Sequence, residues 1–146
     1  MTSFHGRRSS RKAVADLFQA RSRFVERLAG EDDPLGRARE VLDGLPKDQQ
    51  VEALAHHPRI GAPNLSGRSA AEQGADVDPA VLAELAELNA AYEARFGFRF
   101  VVFVNRRSRA EIVPVLRERL ERTREEELET GCDELVAIAV DRWQSS

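Results

Sequence analysis

Along most of this chain, apolar residues recur at the three-and-four spacing of helices buried on one side. Val14, Leu17, Phe18, Phe24, Val25 and Leu28 form the first such stripe, and Gly30 ends it. Asp33-Pro34 offers a cap and a first-turn proline for a second stripe of Leu35, Ala38, Val41, Leu42 and Leu45. A shorter helix is predicted over residues 47–55, stopping at His56-His57-Pro58. Asp78-Pro79 opens a longer one, with Leu82, Leu85, Leu88, Ala91 and Tyr92 on a shared face and Gly97 as a left-handed cap. Ser108 and Glu111 have capping-box spacing ahead of Ile112, Val115, Leu116 and Leu120, with Pro114 bending that helix near its start. Thr123 and Glu126 repeat the box before a last helix that reaches Trp143.

Two segments break this pattern. Residues 58–68 hold two prolines and two glycines and are predicted to be a loop. Phe98, Phe100, Val101, Val102, Phe103 and Val104 are strand formers, and an arginine is their only polar interruption. No second segment of that quality exists to pair with them, and a lone strand leaves its backbone unsatisfied. The expectation is an extended connector wedged among helices, or a helix formed against its propensity. The fold class is therefore all-α: a single compact helical domain over residues 13–146 with irregular, function-bearing segments at 56–77 and 97–107.

Composition adds boundaries to this picture. At 146 residues there is room for one core, and 42% hydrophobic with 32% charged residues suits a folded domain without staples. The lone Cys132 rules out an internal disulfide framework and fits a reducing compartment. No apolar run approaches a membrane span, the start lacks a signal-peptide core, and Gln144-Ser145-Ser146 is not a peroxisomal address, so a cytoplasmic location is expected. The net charge of −3 conceals a basic beginning: Arg7, Arg8, Arg11 and Lys12 precede any acid. Residues 1–12 are read as a flexible basic arm, a solvated tail in preference to a nucleic-acid contact.

Few residues have the chemistry for a site. His57 sits before a proline just past a helix, either as a general acid or base or as an imidazole bonded to the last helical carbonyls. Ser69-Ala70-Ala71-Glu72 is a capping box by spacing, or else a helix start presenting amides, a hydroxyl and a carboxylate to a ligand. Arg142 falls four residues after Ile138 and seven after Leu135, on the face those residues bury. It either awaits an anion or snorkels at a helix end. Arg117, Arg119 and Arg122 lie among glutamates and read as solvated. His56, His57 and Cys132 lack metal-ligand spacing, so no metal is expected. Phosphate-loop, dinucleotide and serine-hydrolase motifs do not occur.

The order of the pieces carries more than their separate chemistry. Ala55-His56-His57-Pro58-Arg59-Ile60-Gly61, then Ser69-x-x-Glu72-Gln73, then Asn89-x-x-Tyr92-x-x-x-Phe96-Gly97-Phe98-x-Phe100-Val101 resembles the ureidoimidazoline decarboxylases of urate breakdown. Those enzymes convert 2-oxo-4-hydroxy-4-carboxy-5-ureidoimidazoline to (S)-allantoin. The likeness covers residues 13 to 143, including Phe24-Val25-Glu26-Arg27-Leu28 and Arg117-x-Arg119-Leu120. It implies an all-helical fold, no metal, no organic cofactor, and a small ureidoimidazoline as the partner, with no nucleic acid and no membrane. Relatives are often dimeric, so a homodimer is an expectation. By this resemblance His57 is the catalytic histidine, with Glu72 and Arg142 as its charged partners. Pro58, Ser69, Ala70, Ala71, Glu72 and Gln73, and Phe100, Val101, Val102, Phe103 and Val104, line the substrate site. His56 departs from the small residue usual before that histidine. The basic arm has no counterpart in the family. Alternatives to turnover are a diverged member that only binds a ureide and a helical interaction module whose arm meets an acidic partner.

Overall fold

The computed structural model describes residues 18, 22–60 and 78–145, and six helices lie among them. They are α1 (Arg23–Ala29), α2 (Pro34–Gly44), α3 (Lys47–Ala55), α4 (Pro79–Phe96), α5 (Arg109–Arg119) and α6 (Arg124–Ser145). Expectations for the basic arm 1–12 and for Ser69–Gln73 fall outside the described residues.

The start signals predicted at Asp33, Asp78, Ser108 and Thr123 operate, and Ser22 adds one inside the first apolar stripe that its periodicity did not show. Ser22 accepts from the Val25 amide at 3.2 Å, Asp33 from Gly36 at 3.3 Å with Pro34 in the first turn, and Asp78 from Ala80 at 2.9 Å. Each satisfies an amide that the helix itself leaves without a carbonyl. Both capping boxes close. Ser108 and Glu111 exchange hydrogen bonds at 3.2 and 3.3 Å, and Thr123 and Glu126 at 3.1 and 3.0 Å. Gly97 ends α4 at φ 78°, a left-handed conformation that an L side chain resists.

α6 is the element that the first half of the bundle is built on. α1 packs on α2 and α3, α2 and α3 pack on α6, and α4 packs on α5. Gly131 of α6 lets α3 come close, since a Cβ there would stand 3.0 Å from Leu54 Cδ1. The core runs through Phe24, Leu28, Leu42, Leu54, Leu85, Tyr92, Ile112, Leu116 and Leu135, all buried. Buried Gln50 ties α3 to the end of α2 by donating to the Leu42 carbonyl at 2.6 Å.

Two details differ from expectation. The buried stripe of α4 is Leu85, Asn89, Tyr92 and Phe96, with Leu88 half-buried and Ala91 exposed. Arg119 is buried and Arg122 half-buried, although both were read as solvated; only Arg117 is exposed. The cause is a buried carboxylate, Glu127, on α6.

Between α4 and α5 the chain is extended and pairs with no strand among the described residues. Of the two expectations for this segment, the connector is correct. Phe98, Phe100, Val101, Val102 and Val104 are buried, and side chains do the work of a ladder. Arg119 Nη1 donates to the Val101 carbonyl at 2.7 Å, and Glu134 Oε1 accepts from the Phe103 amide at 3.3 Å. Arg107 donates to the carbonyls of Phe103 and Val104 at 2.7 and 2.9 Å. Around its start Tyr92 packs edge to face or tilted on Phe96, Phe98 and Phe100, with Tyr92–Phe96 centroids 4.6 Å apart and Tyr92–Phe100 5.2 Å, while Phe96 and Phe98 stack.

Candidate active site

α3 ends where Pro58 requires it to. Proline disfavours helical geometry in the preceding residue, so the helix stops at Ala55 with His56 as its cap. His57 turns back, its amide donating to the Leu54 carbonyl at 3.1 Å. The adjacent histidines thereby separate: His56 is exposed, while His57 is 7% exposed.

His57 is neutral. Burial, then the nearby charges of Arg142 and Arg99, push its imidazole down to about pKa 3. Its Nδ1 has no hydrogen-bond partner among the described residues, so the carbonyl-bonded imidazole considered from sequence is not what forms. Arg142 is 3% exposed on the face of α6 that also buries Leu135 and Ile138. The structure thus brings two of the residues singled out, 85 positions apart in the chain, within electrostatic reach of each other. Glu72, Ser69, Ala70, Ala71 and Gln73 lie outside the described residues.

The segment after His57 is pinned from α4 and from the connector. Arg59 makes a bidentate pair with Glu93 at 2.6 and 2.9 Å, and Asn89 Nδ2 donates to the Ile60 carbonyl at 3.3 Å. Arg99 Nη1 donates to the His57 carbonyl at 2.8 Å. Pro58 is half-buried between these anchors. Phe100, Val101, Val102 and Val104 are buried and Phe103 half-buried, but several of their backbone groups are already bonded to Arg119, Glu134 and Arg107.

Sequence reasoning missed Arg99, Asn89, Arg119 and Glu127. Each left a signal: Arg99 interrupts an apolar run, and Asn89 is four residues after Leu85 on a buried face. Arg119 follows Leu116 by three and Ile112 by seven, the same spacing logic that singled out Arg142. Among the described residues no cluster of three or more His, Cys, Asp or Glu is arranged for a metal, and no helix is long and apolar enough to cross a membrane. Burial pushes the Cys132 thiol up to about 11, which keeps it protonated and unreactive.

The sequence profile described as OHCU decarboxylase matches residues 6–144. The chain belongs to the OHCU decarboxylase family. It is similar to a crystal structure of OHCU decarboxylase in the presence of (S)-allantoin, with a TM-score of 0.72 and 28% identity, covering 83% of this chain and 87% of that one. A crystal structure of (S)-allantoin synthase gives a TM-score of 0.68 at 20% identity, covering 96% of this chain and 50% of that one; it shares the fold. The uric acid degradation bifunctional protein TTL of Arabidopsis thaliana is 36% identical over 98 residues, 60% of this chain. This OHCU decarboxylase family chain spans 30% of that curated relative's length.

Proposed function

We propose that this chain decarboxylates 2-oxo-4-hydroxy-4-carboxy-5-ureidoimidazoline to (S)-allantoin, a step of urate breakdown, with neither metal nor organic cofactor. One observation carries the assignment within the family. His57 is buried and neutral, with Arg142 buried close by, and the imidazole offers an unused Nδ1. That combination suits an anionic substrate carrying an exchangeable hydroxyl proton.

The substrate contains its own electron sink. The bond between C4 and the carboxylate breaks, carbon dioxide leaves, and the electron pair forms a C4=C5 double bond while the adjacent ring imine nitrogen takes a proton. The C4 hydroxyl then gives up its proton as the carbonyl forms, and a proton added to one face of C5 sets the (S) centre. Neutral His57 accepts the proton of that hydroxyl, which an imidazolium could not do, and can then pass it on. Arg142 presents its fork to a substrate oxygen and stabilises developing charge. Glu72 holds ureido or ring N–H groups, with Ser69 to Gln73 and Pro58 around it. Phe100 to Val104 close the site with the backbone groups not already bonded within the protein. Holding the carboxylate out of the ring plane is the main service the protein renders.

We place the protein in the cytoplasm, which the lone cysteine supports, as a homodimer, which the family resemblance supports. The family match begins at residue 6, so part of the basic stretch 1–12 falls within it. The activity is tested by generating the unstable substrate in situ from urate with the two upstream activities and following the ellipticity of chiral allantoin. Accelerated appearance of the (S) form is expected. Ligand stabilisation without acceleration would instead indicate a ureide-binding module.

A further inference from the structure

We infer that Arg99 is the positioning residue for His57. It fixes the imidazole's backbone from the connector side and adds a cation near the ring. This deepens the proposed decarboxylation and rests on it for its effect on turnover.

The geometry comes first. Arg99 lies in the extended connector, far from His57 in sequence, yet its Nη1 donates to the His57 carbonyl at 2.8 Å. That carbonyl lies past the last residue of α3, where the helix no longer supplies it with an amide. A guanidinium is suited to the task because its planar fork leaves other donors directed elsewhere. Arg99 Nε is buried and has no acceptor among the described residues, and His57 Nδ1 is in the same condition. Two unsatisfied polar atoms on residues joined by one hydrogen bond mark a place prepared for a polar ligand. A side chain serving only to tether the loop would not need its second donor buried and unused.

The charge acts on the same imidazole. The groups around His57 are Arg142 from α6, Arg99 from the connector and, beyond Arg99, the Arg59–Glu93 pair linking the loop to α4. His56 is turned to solvent. Arg59 is largely compensated by Glu93, so among the described residues Arg142 and Arg99 are the cations that act on His57. Burial does most to keep the ring neutral, and Arg142 and then Arg99 add to it; of the two cations, Arg99 is the one seen to hold the His57 backbone as well. The connector is thereby more than an apolar wall. It carries the anchor of the residue opposite.

The test separates this role from the reaction itself. Ring-labelled histidine is titrated by NMR in the free full-length protein, and turnover is measured in parallel. Arg99→Met should raise the His57 pKa by about one unit and lower kcat by roughly ten-fold to a hundred-fold through the loosened imidazole. Arg99→Lys should keep the His57 titration near that of the parent while restoring only part of the turnover, because an ammonium keeps the charge without the fork. An unchanged His57 titration in Arg99→Met overturns the proposal, as does full activity in that variant. If Arg99→Met does not fold, Arg99→Lys decides alone: parental turnover with a parental titration would show that the fork has no positioning role. Should the parent titrate as expected but form no allantoin, the proposed reaction fails and the Arg99–His57 coupling stands.

Discussion

Arg119 Nε donates to Glu127 Oε1 at 2.7 Å inside the bundle, the arginine 6% exposed and the glutamate 0%. The same carboxylate accepts from the Tyr92 hydroxyl at 2.6 Å and from Arg122 Nη1 at 2.9 Å. Arg119 meanwhile spends Nη1 on the Val101 carbonyl and lies 4.5 Å over the Phe100 ring. One ion pair thus joins α4, α5 and α6 to the connector that borders the site.

Removing half of a buried pair leaves the other half charged and unsolvated. Glu127→Gln is expected to cost roughly 3–5 kcal/mol, since two arginines lose their counter-charge at once. Tyr92→Phe removes a single donor and should cost about 1–2 kcal/mol. Urea unfolding of the three proteins checks both values. Equal midpoints for Glu127→Gln and parent would mean that the triad contributes nothing.

His57 makes stability depend on pH with a definite sign. Its folded pKa is depressed to about 3, below the ordinary histidine value of 6.5. Between those values the unfolded chain binds a proton that the folded chain refuses, so the contribution present above pH 6.5 is lost as pH falls toward 3. The limiting slope is about 1.4 kcal/mol per pH unit. His57→Gln should flatten the stability profile in that window. In the free enzyme, the histidine limb of kcat/KM belongs well below neutrality, and a limb near 6.5 that survives His57→Gln would belong to another group.

The adjacent histidines should behave differently on substitution. His57→Asn is expected to lose roughly a hundred-fold or more of activity through proton transfer, with the fold intact. His56→Asn should change activity only a few-fold, because that side chain is exposed. Initial rates of allantoin formation at matched folded protein concentration decide this. A dead His56→Asn beside an active His57→Asn would move the site.

Arg142→Lys keeps a cation on the buried face of α6 but loses the planar fork. Most turnover should disappear while the melting temperature moves little. An early-melting variant whose folded fraction works at the parental rate would make Arg142 a structural residue.

Backbone strain gives opposite predictions at two turns. Gly97 has φ 78° with open space where a Cβ would be placed, so Gly97→Ala should cost about 1 kcal/mol from conformation alone. Arg106, exposed at φ 66°, is an ordinary residue in the same left-handed region. Arg106→Gly should therefore stabilise by about 1 kcal/mol, visible as a melting temperature a few degrees higher.

The helices were legible because their signals are local. Asp33-Pro34, Asp78-Pro79 and Gly97, and the Ser108 and Thr123 boxes, each act within four residues. His57 was legible through Pro58, also a neighbour. What stayed hidden depends on partners distant in sequence. Arg119 reads as solvated among glutamates until Glu127 is known to be buried eight residues later, facing the same interior. Arg99 reads as an interruption until the fold carries it to the His57 carbonyl. Asn89 is a polar residue in a core stripe, and only its bond to Ile60 explains the choice over leucine. Propensity misled least where it was weighed against pairing: the run from Phe98 to Val104 is extended, yet makes no sheet among the described residues.

That run has a consequence for handling the protein. Phe100 to Val104 is an uncharged stretch of β-branched and aromatic residues whose backbone is kept occupied by three side chains, Arg119, Glu134 and Arg107. In the native bundle those side chains and the surrounding helices deny it to other chains. Once heat withdraws them, the same five residues form a self-complementary strand with nothing to stop intermolecular pairing. Thermal denaturation should then end in aggregate, with an apparent midpoint that shifts with scan rate and protein concentration. A lysine placed at half-buried Phe103 should make the transition more reversible while lowering its midpoint. The segment that borders the substrate is thus also the one that sets the shelf life of the fold.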